Sequence, residues 1–287
     1  MLPPFVLYLF NSFFRSKKLY NLCDLHLHSN FSWDAKLTID EIVNAAKSAD
    51  IKIVGITEHI DFWDDHKQNY LKFNYNGYSE TINKFQSLNS INLLKGFEIG
   101  EIHIYSDRFN KFLEGKKFDY IIGSIHTVGD YTPVFDNYFE QYENIKDAYK
   151  AYLEEEYKLI KYGGFDVAAH ITLMHRTGGK FFKDFNYNTF KKEIDDILKL
   201  MISKKIGLEI NTSGMRYFAG GPVPDFDIVK AYIDLGGDII TVGSDAHLKK
   251  DLFFGIKETF EILDKMGVEE LTYFKKRKPE KFKIKNG

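Results

Sequence analysis

The sequence predicts an α/β protein, a distorted TIM-like (β/α)7 barrel with its chemistry at the carboxyl ends of the strands. From Leu22 onward short apolar segments alternate with longer amphipathic ones, the pattern of repeated βα units. Seven such units follow one another with no low-complexity linker, and no Gly-x-Gly-x-x-Gly turn follows the first strand. That argues against a dinucleotide-binding sheet and for a closed or nearly closed barrel. Metal-binding side chains recur at the strand ends, where barrel enzymes place their active sites.

The strands are expected near residues 21–28, 51–57, 93–99, 119–125, 165–169, 206–211 and 238–244. The first intervening helix begins after Thr38, whose hydroxyl can cap it while Glu41 reaches back, and Ile39, Ile42, Val43 and Ala46 then share one face. Phe190, Ile194, Ile197, Leu198 and Met201 form a second stripe, and Ile228, Val229, Tyr232 and Ile233 a third. Stripes of this kind bury against the sheet and are read as core. The domain division is a barrel over 21–287 preceded by an extension over 1–20. The extension carries an apolar run at residues 5–14, which is too short to span a bilayer and lacks the features of a secretory signal. It is read as a surface extension, with a weak interfacial anchor as the alternative.

Composition narrows the function classes. The chain has 287 residues, 44% of them hydrophobic, enough for a substantial core, and single α/β barrels commonly occupy about 250 residues. Its 39 basic and 41 acidic residues leave a net charge of -2, which is no electrostatic footprint for nucleic acid. The single cysteine, Cys23, excludes an internal disulfide and a thiolate-rich metal site, so any metal must be held by His, Asp and Glu. A cytoplasmic protein without stable membrane insertion, monomeric or homodimeric, is expected.

Asp24-Leu-His-Leu-His28 alternates polar and apolar, so Asp24, His26 and His28 share one face of the first strand, and the loop beyond delivers Asp34. The second strand closes on Thr57-Glu-His59, the third on Gly96-Phe-Glu98, the fourth on Gly123-Ser-Ile-His126, the fifth on Ala168-Ala-His170 and the last on Gly243-Ser-Asp-Ala-His247. Six of the nine histidines thus lie at or just past strand ends, with three carboxylates at the same rim. Any one of them alone would be read as a satisfied core histidine; together they point to metal. Nine groups exceed the four or so that one zinc-type ion takes, so two or three divalent ions, Zn, Mn or Fe, are implied. The chemical use of clustered ions is hydrolysis.

In order and spacing these residues resemble the polymerase and histidinol phosphatase (PHP) superfamily, whose motifs are a His-x-His, a second His, a Glu, a third and fourth His and a final Asp-x-His. The resemblance runs from about residue 22 to 284. Within the superfamily the chain looks most like the monofunctional histidinol-phosphate phosphatases of histidine biosynthesis, on the stretches Phe118-Asp-Tyr-Ile-Ile-Gly-Ser-Ile-His126, Leu208-Glu-Ile-Asn-Thr-Ser-Gly-Met-Arg216 and Tyr273-Phe-Lys-Lys-Arg-Lys-Pro279. The resemblance implies a phosphoric monoester hydrolase acting on a small-molecule substrate, L-histidinol phosphate. It implies His26, His28, Glu98 and Asp245 around one ion, Glu98, His126 and His170 around a second, and Asp34, His59 and His247 around a third, with a metal-bound hydroxide as nucleophile. Another phosphoesterase of the superfamily, acting on phosphotyrosine or on oligonucleotides or nucleotides, is the alternative; a catalytically silent metal-binding barrel would need ligands to be missing, and none is.

Asp24 is expected to orient a ligand imidazole from behind. Glu58 departs from the family's pattern, which has Asp before the His. Only five arginines occur, and Arg176 and Arg216 follow the fifth and sixth strands closely enough to overhang the rim, so both are assigned to the substrate phosphate. Arg277, inside Lys275-Lys-Arg-Lys278, is expected to be part of a solvated charge run. His66, His103 and His175 are expected to be loop side chains, with His175 or the loop around Trp63 a candidate lining for the organic half of the pocket. Cys23 is expected to be a small buried hydrophobe.

Overall fold

The computed structural model describes residues 20–62, 72–88 and 91–285. Seven parallel strands run in sequence order, β1 (Leu22–Leu27), β2 (Ile51–Ile60), β3 (Asn92–Gly100), β4 (Tyr120–Ser124), β5 (Val167–Ala168), β6 (Gly207–Asn211) and β7 (Ile240–Gly243). Each sits next to its successor, with helices packed outside. Closure comes just past the strand ends, where the Asp245 amide donates to the His26 carbonyl at 2.8 Å and the His28 amide to the Ala246 carbonyl at 3.1 Å. The seam therefore lies among the rim residues themselves. The apolar run at 5–14, with the rest of the extension up to residue 19, and the loop holding Trp63 and His66 lie outside the described residues. Among the described residues no helix is long and apolar enough to cross a membrane.

Local sequence explains most of the elements. The helix Ile39–Ser48 begins with a capping box between Thr38 and Glu41 and buries Ile39, Ile42, Val43 and Ala46. The helix Lys191–Lys204 buries Ile194, Ile197, Leu198 and Met201, with Phe190 buried just before it. In Phe226–Asp234 the face is Ile228, Val229, Ala231 and Tyr232, while Ile233 is only half-buried. Cys23 is fully buried and unpaired by disulfide.

Tyr120 fills the barrel interior below the rim. It is 1% exposed, and its hydroxyl donates to the Leu25 carbonyl at 2.6 Å. That crossing requires glycine at position 55, because a Cβ there would lie 1.8 Å from the Tyr120 hydroxyl oxygen.

The floor of the barrel is closed by an antiparallel hairpin, β8 (Glu270–Lys275) and β9 (Lys278–Lys283), whose Phe274 stacks under Tyr120 with ring centroids 6.3 Å apart. Here the expectation of a solvated charge run is corrected. Lys276 and Arg277 form a two-residue turn with φ of 51° and 65°, a conformation normally supplied by Asn-Gly or Gly-Gly. Tertiary contacts hold it instead. The Arg277 amide donates to the Asp119 carbonyl at 2.7 Å, the Lys276 amide to Asp119 Oδ1 at 3.2 Å, and the Arg277 guanidinium pairs with Asp166 at 2.5 Å.

Candidate metal centre

Strand alternation brings Asp24, His26 and His28, Thr57 and His59, Gly96 and Glu98, and Glu209 and Asn211 to the inside of the barrel. At the centre stands Glu98, 1% exposed, with five imidazoles around it. Oε1 lies 2.9 Å from His170 Nε2 and 3.0 Å from His126 Nε2. Oε2 lies 3.1 Å from His26 Nε2, 3.2 Å from His59 Nδ1 and 3.3 Å from His28 Nε2. Asp245 Oδ1 completes one face at 3.5 Å from His28 Nε2 and 3.8 Å from His26 Nε2. A further group lies nearer the opening: His59 Nε2 and His247 Nε2 are 3.2 Å apart, and Asp34 Oδ2 lies 3.6 and 3.2 Å from them. The structure thus brings all nine rim residues together; the sets of three whose donor atoms converge closely are His26, His28 and Glu98, His59, Glu98 and His126, and His28, His59 and His247.

The donor set fits divalent ions. Four nitrogens or oxygens placed tetrahedrally at about 2.0–2.1 Å from an ion stand about 3.3 Å from one another, which is the spacing found here. His26 Nδ1 donates to Glu209 Oε1 at 2.6 Å, and its Nε2 lies 3.1 Å from both His28 Nε2 and Glu98 Oε2. Ring nitrogens and carboxylate oxygens converging at that distance form a set that a divalent ion fits. Burial alone would raise the Glu98 carboxyl, but the imidazoles of His26, His59 and His126 hold it well below its ordinary range. For His59 burial and the neighbouring His28 push the ring down to about 4, so it remains a neutral donor. No thiolate lies among these groups, and imidazole with carboxylate suits Zn, Mn or Fe.

The strand ends that carry these groups are bent to do so. Glu101, His170 and Asp245 have φ of 45°, 28° and 53°, in the left-handed region that such residues seldom occupy. The buried carboxylate of Glu101 steadies the first bend by accepting the amides of His126 at 2.5 Å and Thr127 at 2.7 Å. Asp61 Oδ1 receives His126 Nδ1 at 2.9 Å. These two acids and Glu209 were not singled out in the sequence. Asp61 and Glu101 lie just beyond the strands that carry His59 and Glu98, whereas Glu209 lies on β6, which carries none of the nine rim residues, and the role of all three depends on what crosses the barrel.

Asp24 does something other than expected. It touches no imidazole; Oδ1 accepts the amides of Ser244 at 2.9 Å and His26 at 3.3 Å, joining β1 to the turn after β7 at the barrel seam. Glu209 faces His26 Nδ1 instead. Glu58 points away from the centre and uses its extra length to take both Ser29 and Ser32 hydroxyls, the latter at 2.5 Å, which pins the loop leading to Asp34.

Arg176 and Arg216 both reach the rim. Arg176 Nη1 pairs with Asp245 Oδ2 at 3.2 Å, its guanidinium lies 4.4 Å from the centroid of the exposed Tyr217 ring, and its Nε is buried without a partner. Arg216 turns its fork onto the backbone, Nη1 to the Ser244 carbonyl at 2.9 Å and Nη2 to the Asp245 carbonyl at 3.1 Å, and so supports the turn that carries Asp245 and His247. His175 is no loop side chain. It is 9% exposed, 4.5 Å from the Phe185 ring, and accepts the Tyr149 hydroxyl at 2.7 Å, because the segment after β5 folds into an aromatic cluster. His103 pairs with Glu155 at 2.6 Å, tying the turn after β3 to the helix Ile145–Tyr162.

The comparisons with known proteins agree with this geometry. Residues 24–213 match the model of the PHP domain. A probable histidinol-phosphatase of Thermotoga maritima is 31% identical over 87% of this chain and 94% of its own length, and one of Clostridium acetobutylicum is 28% identical over 88% and 97%. The crystal structure of histidinol phosphate phosphatase from Lactococcus lactis, complexed with zinc, L-histidinol and phosphate, superimposes with a TM-score of 0.78 over 91% of this chain and 99% of that one, at 23% identity. The barrel order, the rim of histidines and the matched segment through six of the seven strands lead to one conclusion: the chain belongs to the PHP-domain family.

Proposed function

We propose that the chain is a metal-dependent phosphomonoesterase that hydrolyses L-histidinol phosphate to L-histidinol and phosphate, in the cytoplasmic synthesis of histidine. The observation that carries the reading is Glu98, a buried carboxylate with five ring nitrogens at 2.9–3.3 Å, beside a rim that offers an arginine. Full-length relatives named as histidinol-phosphatases support the substrate.

His26, His28, Glu98 and Asp245 would hold one divalent ion, Glu98, His126 and His170 a second, and Asp34, His59 and His247 a third. Bound there, such ions bring the pKa of water from 15.7 to about 7 and neutralise charge developing on a phosphoryl group. The chain's own residues supply the rest. Glu209 and Asp61 fix the tautomers of His26 and His126 by accepting from Nδ1, which keeps Nε2 of each ring available. Arg176 presents its unpaired Nε and remaining Nη hydrogens to the phosphate oxygens, anchored by Asp245 so that little freedom is lost on binding. Arg216 keeps the Ser244–His247 turn in place beside it. Trp33, exposed and with its ring 6.4 Å from His59, and Tyr217 offer flat apolar faces for the imidazole of the substrate.

The test is inorganic phosphate release from L-histidinol phosphate, p-nitrophenyl phosphate, phosphotyrosine and a short oligonucleotide, with Zn, Mn and Fe supplied separately. A large preference for L-histidinol phosphate is expected. Turnover no faster than that of generic esters would overturn the substrate while leaving the hydrolytic centre intact.

A further inference from the structure

The Leu208-Glu-Ile-Asn211 strand contributes no metal ligand to the three groups, yet it places a buried carboxylate that touches two of those groups from behind. Glu209 is 1% exposed and lies below the rim, out of reach of substrate. Its two oxygens serve different ligand groups. Oε1 accepts His26 Nδ1–H at 2.6 Å, and His26 belongs to the first group. Oε2 accepts the His170 amide at 2.9 Å, and His170 belongs to the second; the Asn211 side-chain amide donates to the same oxygen at 3.1 Å. The site is built for close approach. A Cβ at Gly243 on the neighbouring strand would stand 2.8 Å from Glu209 Oε1 and 2.3 Å from His26 Cβ, so only glycine admits the contact.

We infer that Glu209 is a positioning residue that couples the two inner ligand groups, setting the His26 tautomer with one oxygen and the bend at His170 with the other. Its own backbone places it two residues before Asn211, on the same face, so the amide of Asn211 keeps the carboxylate turned toward both partners. The bend at His170, with φ of 28°, is unfavourable for an isolated histidine, and the Oε2 contact is what holds its amide in that direction. Asp61 differs in serving His126 alone through Nδ1.

The chemistry of glutamine exposes the coupling. Glu209→Gln keeps the shape but replaces one acceptor oxygen by an NH2 donor. With NH2 toward His26, the ring must carry its proton on Nε2 and loses its metal-binding lone pair. With NH2 toward His170, two N–H donors oppose a third and the bend must shift. Either orientation damages an inner group, so the substitution cannot be absorbed by an amide flip.

This inference rests on the metal-dependent reading above, and the test separates the two. Full-length wild-type chain and Glu209→Gln are stripped with chelator, titrated with zinc against a competing indicator, and analysed for ions bound per chain. Both are also melted in stripped and zinc-loaded form. The variant is expected to bind at least one ion 10- to 100-fold more weakly, the range for loss of a partner behind a ligand, with the melting temperature of the stripped form unchanged and that of the loaded form lowered. Zinc affinities equal to wild type would overturn the inference, as would an equal drop in melting temperature with and without zinc, the mark of a merely structural role. If Glu209→Gln does not fold, Glu209→Asp, whose shorter side chain cannot reach both partners, takes its place with the same expectations and the same refutations. A wild-type chain that binds no zinc would instead refute the metal-dependent reading itself.

Discussion

Arg176→Ala is the substitution that most directly tests how the rim meets a phosphate. In the structure one Nη hydrogen is taken by Asp245 at 3.2 Å, Nε is buried with no partner, and the guanidinium rests on Tyr217. A phosphate held by two charge-assisted hydrogen bonds, each contributing about 1.5–3 kcal/mol, loses about 3–6 kcal/mol of transition-state binding when the arginine is removed. The side chain is 18% exposed, so little of this is lost to solvent screening. The expected fall in kcat/KM for L-histidinol phosphate is about two to four powers of ten. Arg176→Lys keeps the charge but not the fork and should recover about half of the loss on a logarithmic scale. The assay is steady-state phosphate release at saturating metal, with bound metal measured on each variant so that an effect through Asp245 is recognised. An Arg176→Ala enzyme within threefold of wild type, at wild-type metal content, would refute the assignment of Arg176 to the phosphate.

Three further outcomes follow from other parts of the molecule. Burial pushes the Glu156 carboxyl up to about 8, with Glu101 adding to the effect, whereas the unfolded chain has the ordinary value of 4.5. Between these values the folded state holds the proton and the unfolded state does not, so this contribution is complete below about pH 4.5 and is lost as pH rises through 8. Glu156→Gln should therefore flatten the decline in denaturant-measured stability between pH 5 and 9, a gain on the order of a few kcal/mol at the alkaline end; an unchanged slope would count against it. Arg277→Met removes the partner of the buried Asp166 and the side-chain tie of the hairpin turn, a partly exposed pair expected to cost about 1–2 kcal/mol, or a few degrees in melting temperature, and no measurable cost would mean that the backbone bonds to Asp119 hold the turn alone. Removing metal with chelator should lower the melting temperature, and zinc at about a hundred times its dissociation constant should restore about 2.7 kcal/mol per site, whereas identical melts would show that the rim does not hold ions in solution.

Much of this protein was legible in the chain because local rules coincide with the global fold. The capping box at Thr38 and Glu41, the apolar stripes of the helices and the period-two alternation of Asp24-Leu-His-Leu-His28 depend on neighbours a few residues away, and the structure realises each. The nine rim residues were visible for a related reason: a parallel barrel puts every strand end on one edge, so residues far apart in sequence become neighbours once the strands are placed.

What needed tertiary structure was the identity of partners across the barrel. Whether Asp24 or Glu209 faces the His26 ring depends on which strand lies opposite and how β7 closes on β1, and alternation alone cannot choose between two inward carboxylates. Arg216 reads as an anion-binding fork until the Ser244 and Asp245 carbonyls are seen to occupy it. His175 reads as a loop residue until an aromatic cluster folds over it. The hairpin after residue 270 carries no turn signal at all, because Lys276 and Arg277 are held at positive φ by Asp119 and Asp166, more than a hundred residues away. The sequence by itself determined the barrel and the candidate metal-binding residues at its rim, through spacing that repeats along the chain. The tertiary structure decided which groups aim those side chains, since hydrogen bonds across a closed sheet are fixed by strand order and register and leave no periodic trace in the residues that make them.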